Sequence, residues 1–280
     1  MELMLYVDGP YFQERVDLKS LLDLMNNYEI TYNNCLKKSA DFYDVAFTQY
    51  PKLKLISLAP GSVDIRLVVE TASALAPLAP ELFGYSWKLY KSGYDLLSMV
   101  TRYFRKERKP PVLHINDSPG AIINIVNGDQ ISVPHDAYNM ASTNHQQFHQ
   151  IASLIKNKFA EKIRIRPTQP ELGDQLEFDE SNQDDFYLPK IDITERESIE
   201  LECSIYRFNK KSLNGSLEFD DQGEILIRPF VVTEDMIDDC IEALKAPSAK
   251  IIAYKELEKN ALGESKIKRF HIEAITPIKK

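Results

Sequence analysis

Glycine is scarce in this chain, ten in 280 residues. Backbone cradles for nucleotide phosphates concentrate glycines in one loop, and neither a Walker nor a dinucleotide pattern occurs. Cysteine is scarcer still. Cys35, Cys203 and Cys240 are odd in number and far apart, which excludes a disulfide scaffold and any paired-cysteine zinc spacing. They are expected as reduced core thiols. A basic surplus is also lacking: 34 Lys plus Arg face 42 Asp plus Glu, a net charge of −8. That balance argues against duplex DNA as the main partner. No run of about 18 unbroken apolar residues exists to span a membrane. Met1 to Pro10 carries acids and a proline where a signal peptide needs a basic region and then an apolar run. The expectation is a cytoplasmic protein without a membrane span.

What is present is globular. Apolar residues at 44% and charged residues at 27% lie near the averages of folded domains, and the length accommodates two domains. Leu3 to Val7 reads as a strand stopped by Asp8-Gly9-Pro10. Asp17 is a helix cap, followed by Leu18, Leu21, Leu22, Met25, Tyr28, Tyr32 and Leu36 at helical spacing. Leu53–Leu58 and Val63–Val69 read as a hairpin around Pro60-Gly61-Ser62. Residues 1–70 are therefore expected as a small α/β layer.

Residues 71–109 hold the most apolar stretch. Pro80 suits a first helical turn, and Leu82, Ser86, Leu89, Gly93, Leu96 and Val100 form a broad surface with two small residues at its centre. Lys88 and Lys91 interrupt it, so contact with protein is expected before contact with lipid, and these six residues are the candidate oligomer interface. Residues 110–165 read as a hairpin, Ile122–Val133 about Asn127-Gly128, then a helix from Pro134 to about Lys162 buried through Phe148, Ile151, Ala152, Ile155 and Phe159. Residues 166–190, with Pro167, Pro170, Pro189 and seven acids, read as a mobile linker.

Residues 191–277 show three alternating segments, a helix after Thr233, and two more strands about Gly263. That order suits an OB-like or SH3-like five-stranded barrel. The fold class expected is α+β. On the barrel, Arg207, Lys210, Lys211, Arg228, Lys268 and Arg269 stand beside Tyr206, Phe208, Phe219, Phe230, Tyr254 and Phe270, the ingredients of a single-strand nucleic-acid groove. Against this, residues 190–280 hold 15 Lys plus Arg and 18 Asp plus Glu. The rings are also needed for the barrel's own core.

Catalytic signals are weak. Gly61-Ser62 with Asp64 lacks the second carboxylate of a two-metal transferase, because Arg66 stands there. His145 and His149 share a helical face but have no glutamate between them and no third ligand, so no metal or cofactor is assigned. Lys255, Glu256, Glu258 and Lys259 read as a charged strand edge. Asp8, Asp64 and His114 are the candidates for an active site assembled from distant residues.

The opening Leu5-Tyr6-Val7-Asp8-Gly9-Pro10 with Val16-Asp17-Leu18, and Pro60-Gly61-Ser62, resemble the start of an uncharacterised bacterial family. Ile199 through Leu213-Asn214-Gly215 to Phe270-His271-Ile272 resembles that family's terminal barrel. The resemblance implies an accessory or sensing protein of mobile elements and defence loci, and it carries no catalytic residues. The function expected is a non-catalytic scaffold or sensor subunit of a bacterial or phage assembly, with antiviral defence as its setting. Its partners would be proteins and further copies of itself. Single-stranded nucleic acid bound by the barrel, and an enzyme with a hidden site, are the alternatives.

Overall fold

A computed structural model describes residues 2–9, 17–46, 52–59, 62–68, 79–117, 124–126, 130–168 and 175–278. By its internal contacts the chain divides into Met1–Pro189 and Lys190–Lys280. It has the mixed α+β character expected, with a closed five-stranded barrel at its end.

In the first unit, β1 (Glu2–Asp8) lies between β3 (Ser62–Val68) and β7 (Lys162–Pro167), with β2 (Lys52–Ala59) and β8 (Leu176–Asp179) at the edges of an antiparallel sheet. Leu5, Val7, Ile163, Ile165, Leu176 and Phe178 alternate onto its buried face. Three helices pack on one another: α1 (Leu18–Phe42), α2 (Ala79–Glu107) and α3 (His135–Lys156). Asp17 caps α1 as expected, accepting from the Lys19 backbone N–H at 3.1 Å. Leu21, Leu24, Tyr28, Tyr32, Cys35 and Leu36 are its buried stripe, whereas Leu18 and Leu22 face outward. A second, small sheet joins β4 (Val112–Asn116), β6 (Gln130–Pro134) and β5 (Asn124–Val126), with β4 parallel to β6. The Asn127-Gly128 and Pro60-Gly61 turns and residues 72–78 lie outside the described residues.

Two expectations are corrected here. The helix after Pro134 ends at Lys156, and Lys158 takes φ 60°, so the chain reverses and Lys162–Pro167 becomes a strand beside β1. The acidic stretch 166–190 is not a spacer in its described part. Leu176–Asp179 is the edge strand β8, and a 3₁₀ turn at Gln183–Phe186 docks on the helices. Phe186 is fully buried against Tyr94, Phe148 and Phe178. Asp185, itself buried, accepts from Ser98 Oγ at 3.1 Å, Arg102 Nε at 2.5 Å and Arg105 Nη1 at 3.3 Å. A carboxylate so paired can be buried because its charge is met on the spot.

The second unit opens with β9 (Lys190–Thr194) and continues through β10 (Ile199–Asn209), β11 (Asn214–Asp221), β12 (Glu224–Val231), α4 (Ile237–Ala243), β13 (Ser248–Asn260) and β14 (Ser265–Ile278). The ring runs β10-β11-β12-β14-β13 and returns to β10 through Leu201 opposite Ile251. Its one parallel contact sets Phe230 opposite Phe270, and β9 adds to the outside of β13. Ile205, Leu217, Phe219, Phe230, Ile251, Phe270 and Cys240 fill the interior. A helix between the third and fourth strands, with the third and fifth strands side by side, is the OB arrangement. The helix begins as a 3₁₀ turn at Glu234–Met236, and the Thr233 side chain makes no capping bond. Gln222 and Gly223 both take positive φ, which joins β11 to β12 by a two-residue turn matched to strand twist.

Candidate functional site

The barrel holds the most accessible apolar surface near the predicted site residues. Along β12 the side chains alternate, so Leu226 and Phe230 turn toward the interior while Ile225 and Ile227 turn out, 68% and 50% exposed. The register sets Ile225 opposite Asp220 and Ile227 opposite Glu218 on β11. On β10 the register slips between Ile205 and Arg207. The bulge leaves Tyr206 unpaired and aims its ring outward, 54% exposed. Gly215 permits this packing: a Cβ there would lie 2.3 Å from the Arg207 carbonyl oxygen and 2.3 Å from the Phe230 ring.

This outward face is charged differently at its two ends. Arg207, Lys210 and Lys211, all exposed, gather near the β10–β11 turn; Asp220, Asp221 and Glu224 gather at the β11–β12 turn. The eight residues of β11 span the distance between the ends, seven steps or roughly 24 Å at strand rise. None of the three cations makes an ion pair with a described residue. Arg228 is half-buried, and its Nη1 donates to the Ile227 carbonyl at 2.8 Å.

Lys268 and Arg269 do not join this set. They converge with His271 on Glu256 of β13: Arg269 Nε lies 2.5 Å, His271 Nε2 2.7 Å and Lys268 Nζ 3.0 Å from its carboxylate. Lys268 also binds Asp192 of β9. The His271 ring, with Arg269 and Lys268, pulls the Glu256 carboxyl down from 4.5 to about 2. Next to it Glu258 holds Lys190 and Lys266. The acids of the predicted charged strand edge, Glu256 and Glu258, therefore anchor an ion network that pins β9 and β14 to β13, and Lys268 and Arg269 are already occupied in it.

Of the six predicted rings, Phe219, Phe230 and Phe270 are core, Phe208 stacks on Phe230 at 6.2 Å, Tyr254 is half-buried, and Tyr206 projects. The predicted oligomer interface is corrected as well. Leu82, Ser86, Leu89, Leu96 and Val100 are buried inside the first unit, and Gly93 lies against Met140 of α3, where a Cβ would meet its neighbour at 3.1 Å. An apolar surface broader than one stripe belongs to a helix enclosed by other helices. The small residues serve the close approach of α2 to α3.

Asp8 and Asp64 stand two rows apart on the β1–β3 ladder, Asp8 opposite Ser62 and Asp64 opposite Tyr6. His114 is exposed on the other sheet. A surface cavity of about 460 Å³ is lined by Ile155, Lys156, Lys158, Ala160, Glu161, Glu180 and Gln183, and takes in none of those three. His145 Nδ1 lies 2.8 Å from the Ser142 carbonyl, and the His149 ring, its pKa lowered by burial, meets Tyr187. Among the described residues no cluster of three His, Cys, Asp or Glu is placed to hold a metal, and no helix is long and apolar enough to cross a membrane. The three cysteines are buried and unpaired, and burial pushes the Cys203 thiol up to about 12 and Cys240 to about 11.

Ile225 and Ile227 were not singled out from sequence, and Tyr206 was named only as one of six rings. Alternation marked the two isoleucines as strand residues, but their inward or outward sense depends on the β11 register, and the bulge at Tyr206 has no sequence signal. No family model matches the chain, and no curated protein or solved structure matches it either.

Proposed function

We propose that this chain is a non-catalytic binding subunit that enters a multi-protein assembly through the outward face of β10, β11 and β12. The observation that carries the reading is the group Tyr206, Ile225 and Ile227, three large apolar side chains at least half exposed on one barrel face. Exposed apolar groups gathered between charged ends are what a protein-binding surface presents. The OB arrangement marks the same face as a binding surface, because its second and third strands are where such barrels take oligonucleotides and oligosaccharides. The setting proposed is cytoplasmic, in a bacterial or phage assembly of the kind the family resemblance implies.

The test compares the wild-type chain with an Ile225→Glu, Ile227→Glu double variant, each purified with its associated proteins from cells that express it natively. Stoichiometric companions of the wild type should be lost from the variant while its circular dichroism stays unchanged. Companions retained in full by a folded variant would refute the reading.

A second reading, single-stranded nucleic acid on the same face, is favoured by one observation: among the described residues Arg207, Lys210 and Lys211 have no ion-pair partner, and Arg207 follows the exposed Tyr206 directly. Fluorescence anisotropy with a labelled oligothymidine decides it. Binding at low salt that weakens steeply as salt rises, and falls in Lys210→Glu, supports this reading; an unchanged anisotropy at low salt removes it.

A further inference from the structure

Among the described residues β12 pairs with β11 along its whole length, yet meets β14 only at Phe230 and Val231. Glu224 to Pro229 therefore has one edge without a strand partner. Exposed edges of this kind are usually blunted by a central lysine, an inward charge, a proline or a bulge. Here the bulges fall on β10 and β14, and the proline comes at the end of the segment, at Pro229. The Ile227 carbonyl accepts from the guanidinium of the next residue, a contact that an incoming strand would displace.

The segment itself is Glu224-Ile225-Leu226-Ile227-Arg228. Read about Leu226 it is symmetric in its apolar residues and opposite in its charges. Laid antiparallel on a second copy about a two-fold axis at Leu226, it sets Leu226 opposite Leu226 once, and Ile225 opposite Ile227 and Glu224 opposite Arg228 twice each. Shifting the register by one residue in either direction breaks the ion pairs, and in one direction it also brings Pro229 into the ladder opposite Glu224. Beyond the segment, the acidic turn of one copy (Asp220, Asp221) approaches the basic end of the other. Neither Glu224 nor Arg228 has an ion-pair partner within the chain among the described residues.

We propose that β12 docks edge to edge and antiparallel with β12 of a second copy, joining two barrels into one continuous sheet. This rests on the barrel-face reading above and names its partner as the chain itself. An isologous contact of this kind closes, since each copy offers its β12 edge once.

Charge exchange in the full-length chain tests it, with sedimentation velocity over a range of concentrations as the readout and circular dichroism as the check on folding. The wild type should dimerise reversibly. Glu224→Arg and Arg228→Glu should each weaken the dimer by roughly tenfold or more, because two attractive cross-strand pairs become two repulsive ones. The double exchange E224R/R228E should restore it, since the swapped charges still face each other. Mixing the two single variants should give a heterodimer that neither forms alone. A wild type that stays monomeric throughout overturns the self-pairing while leaving the barrel-face reading to its own co-purification test. A dimer indifferent to the single exchanges, or one the double exchange fails to restore, overturns the Leu226-centred pairing.

Discussion

Replacing Phe186 by alanine distinguishes a packed acidic segment from a mobile one. The ring is fully buried, with centroids of Tyr94 and Phe178 each 4.7 Å away and Phe148 at 6.2 Å. Truncation removes the whole ring from a site whose neighbours are held by two helices and a strand, so little collapse can fill the space. Buried Phe→Ala changes cost about 3–5 kcal/mol. The lower figure, about 3 kcal/mol, is taken as the expected loss. Trp87, the chain's single tryptophan, is buried in the same unit and stacks on Tyr90, so its fluorescence follows the unfolding of this unit. With a urea dependence of roughly 2 kcal/mol per molar, the Trp87 midpoint should fall by about 1.5 M. A fall below about 0.3 M would show that residues 183–188 contribute no packing and would return the acidic stretch to the role of tether.

Two further outcomes concern the barrel. Gly215→Ala should destabilise it by at least about 2 kcal/mol, because one of the atoms a Cβ would strike, the Arg207 carbonyl oxygen, belongs to the backbone and cannot rotate away. Calorimetry should show the barrel transition lowered while the Trp87 transition stays in place; an unshifted barrel transition would refute the packing. Glu256 makes the barrel sensitive to acid. Its folded carboxyl titrates at about 2, below the ordinary 4.5, so its contribution is complete above 4.5 and is lost as the pH falls toward 2. Glu256→Gln should be less stable than the wild type at neutral pH, and the gap should narrow between pH 4.5 and 2. Parallel stability curves across that window would show that the carboxylate network does not hold β14 to β13.

The parts of the fold legible in sequence are those whose signals are local. The Asp17 cap and the spacing of Leu21, Tyr28, Tyr32 and Leu36 specify α1 within 25 residues, and alternation marks β10, β11 and β12 before any partner is known. Residues 176–188 were illegible for a different reason. Leu176, Phe178, Phe186 and Leu188 are each buried, but they stand among acids whose density reads as disorder, and the arginines that make Asp185 tolerable lie 80 and 83 residues away. The strand Lys162–Pro167 alternates plainly, yet it follows the helix so closely that its turn, set by the left-handed Lys158, was absorbed into the helical pattern. The site shows the same division. Residue type disclosed six cations on the barrel, but Lys268 is neutralised by Asp192, 76 residues earlier, whereas Lys210 and Lys211 have no ion-pair partner among the described residues. Pairing over such separations follows from strand register, which the sequence does not print.

The same distinction bears on β12. A strand is protected from stray association either by its neighbours in the fold or by its own residues. β10 and β13 have neighbours on both sides, and β13 takes β9 as a further partner. Over Glu224–Pro229 the neighbour of β12 stops at Phe230, and Ile225 and Ile227 are exposed there together with Glu224 and Pro229. An edge of that composition invites open-ended pairing unless something terminates it. The opposite charges at positions 224 and 228 supply a termination, because they favour one antiparallel register and penalise parallel stacking, where Glu224 would face Glu224 and Arg228 would face Arg228. In that register each copy covers the other's edge, leaving this segment no further strand to recruit. The charges that make the segment self-complementary are therefore also what would keep it from forming fibres.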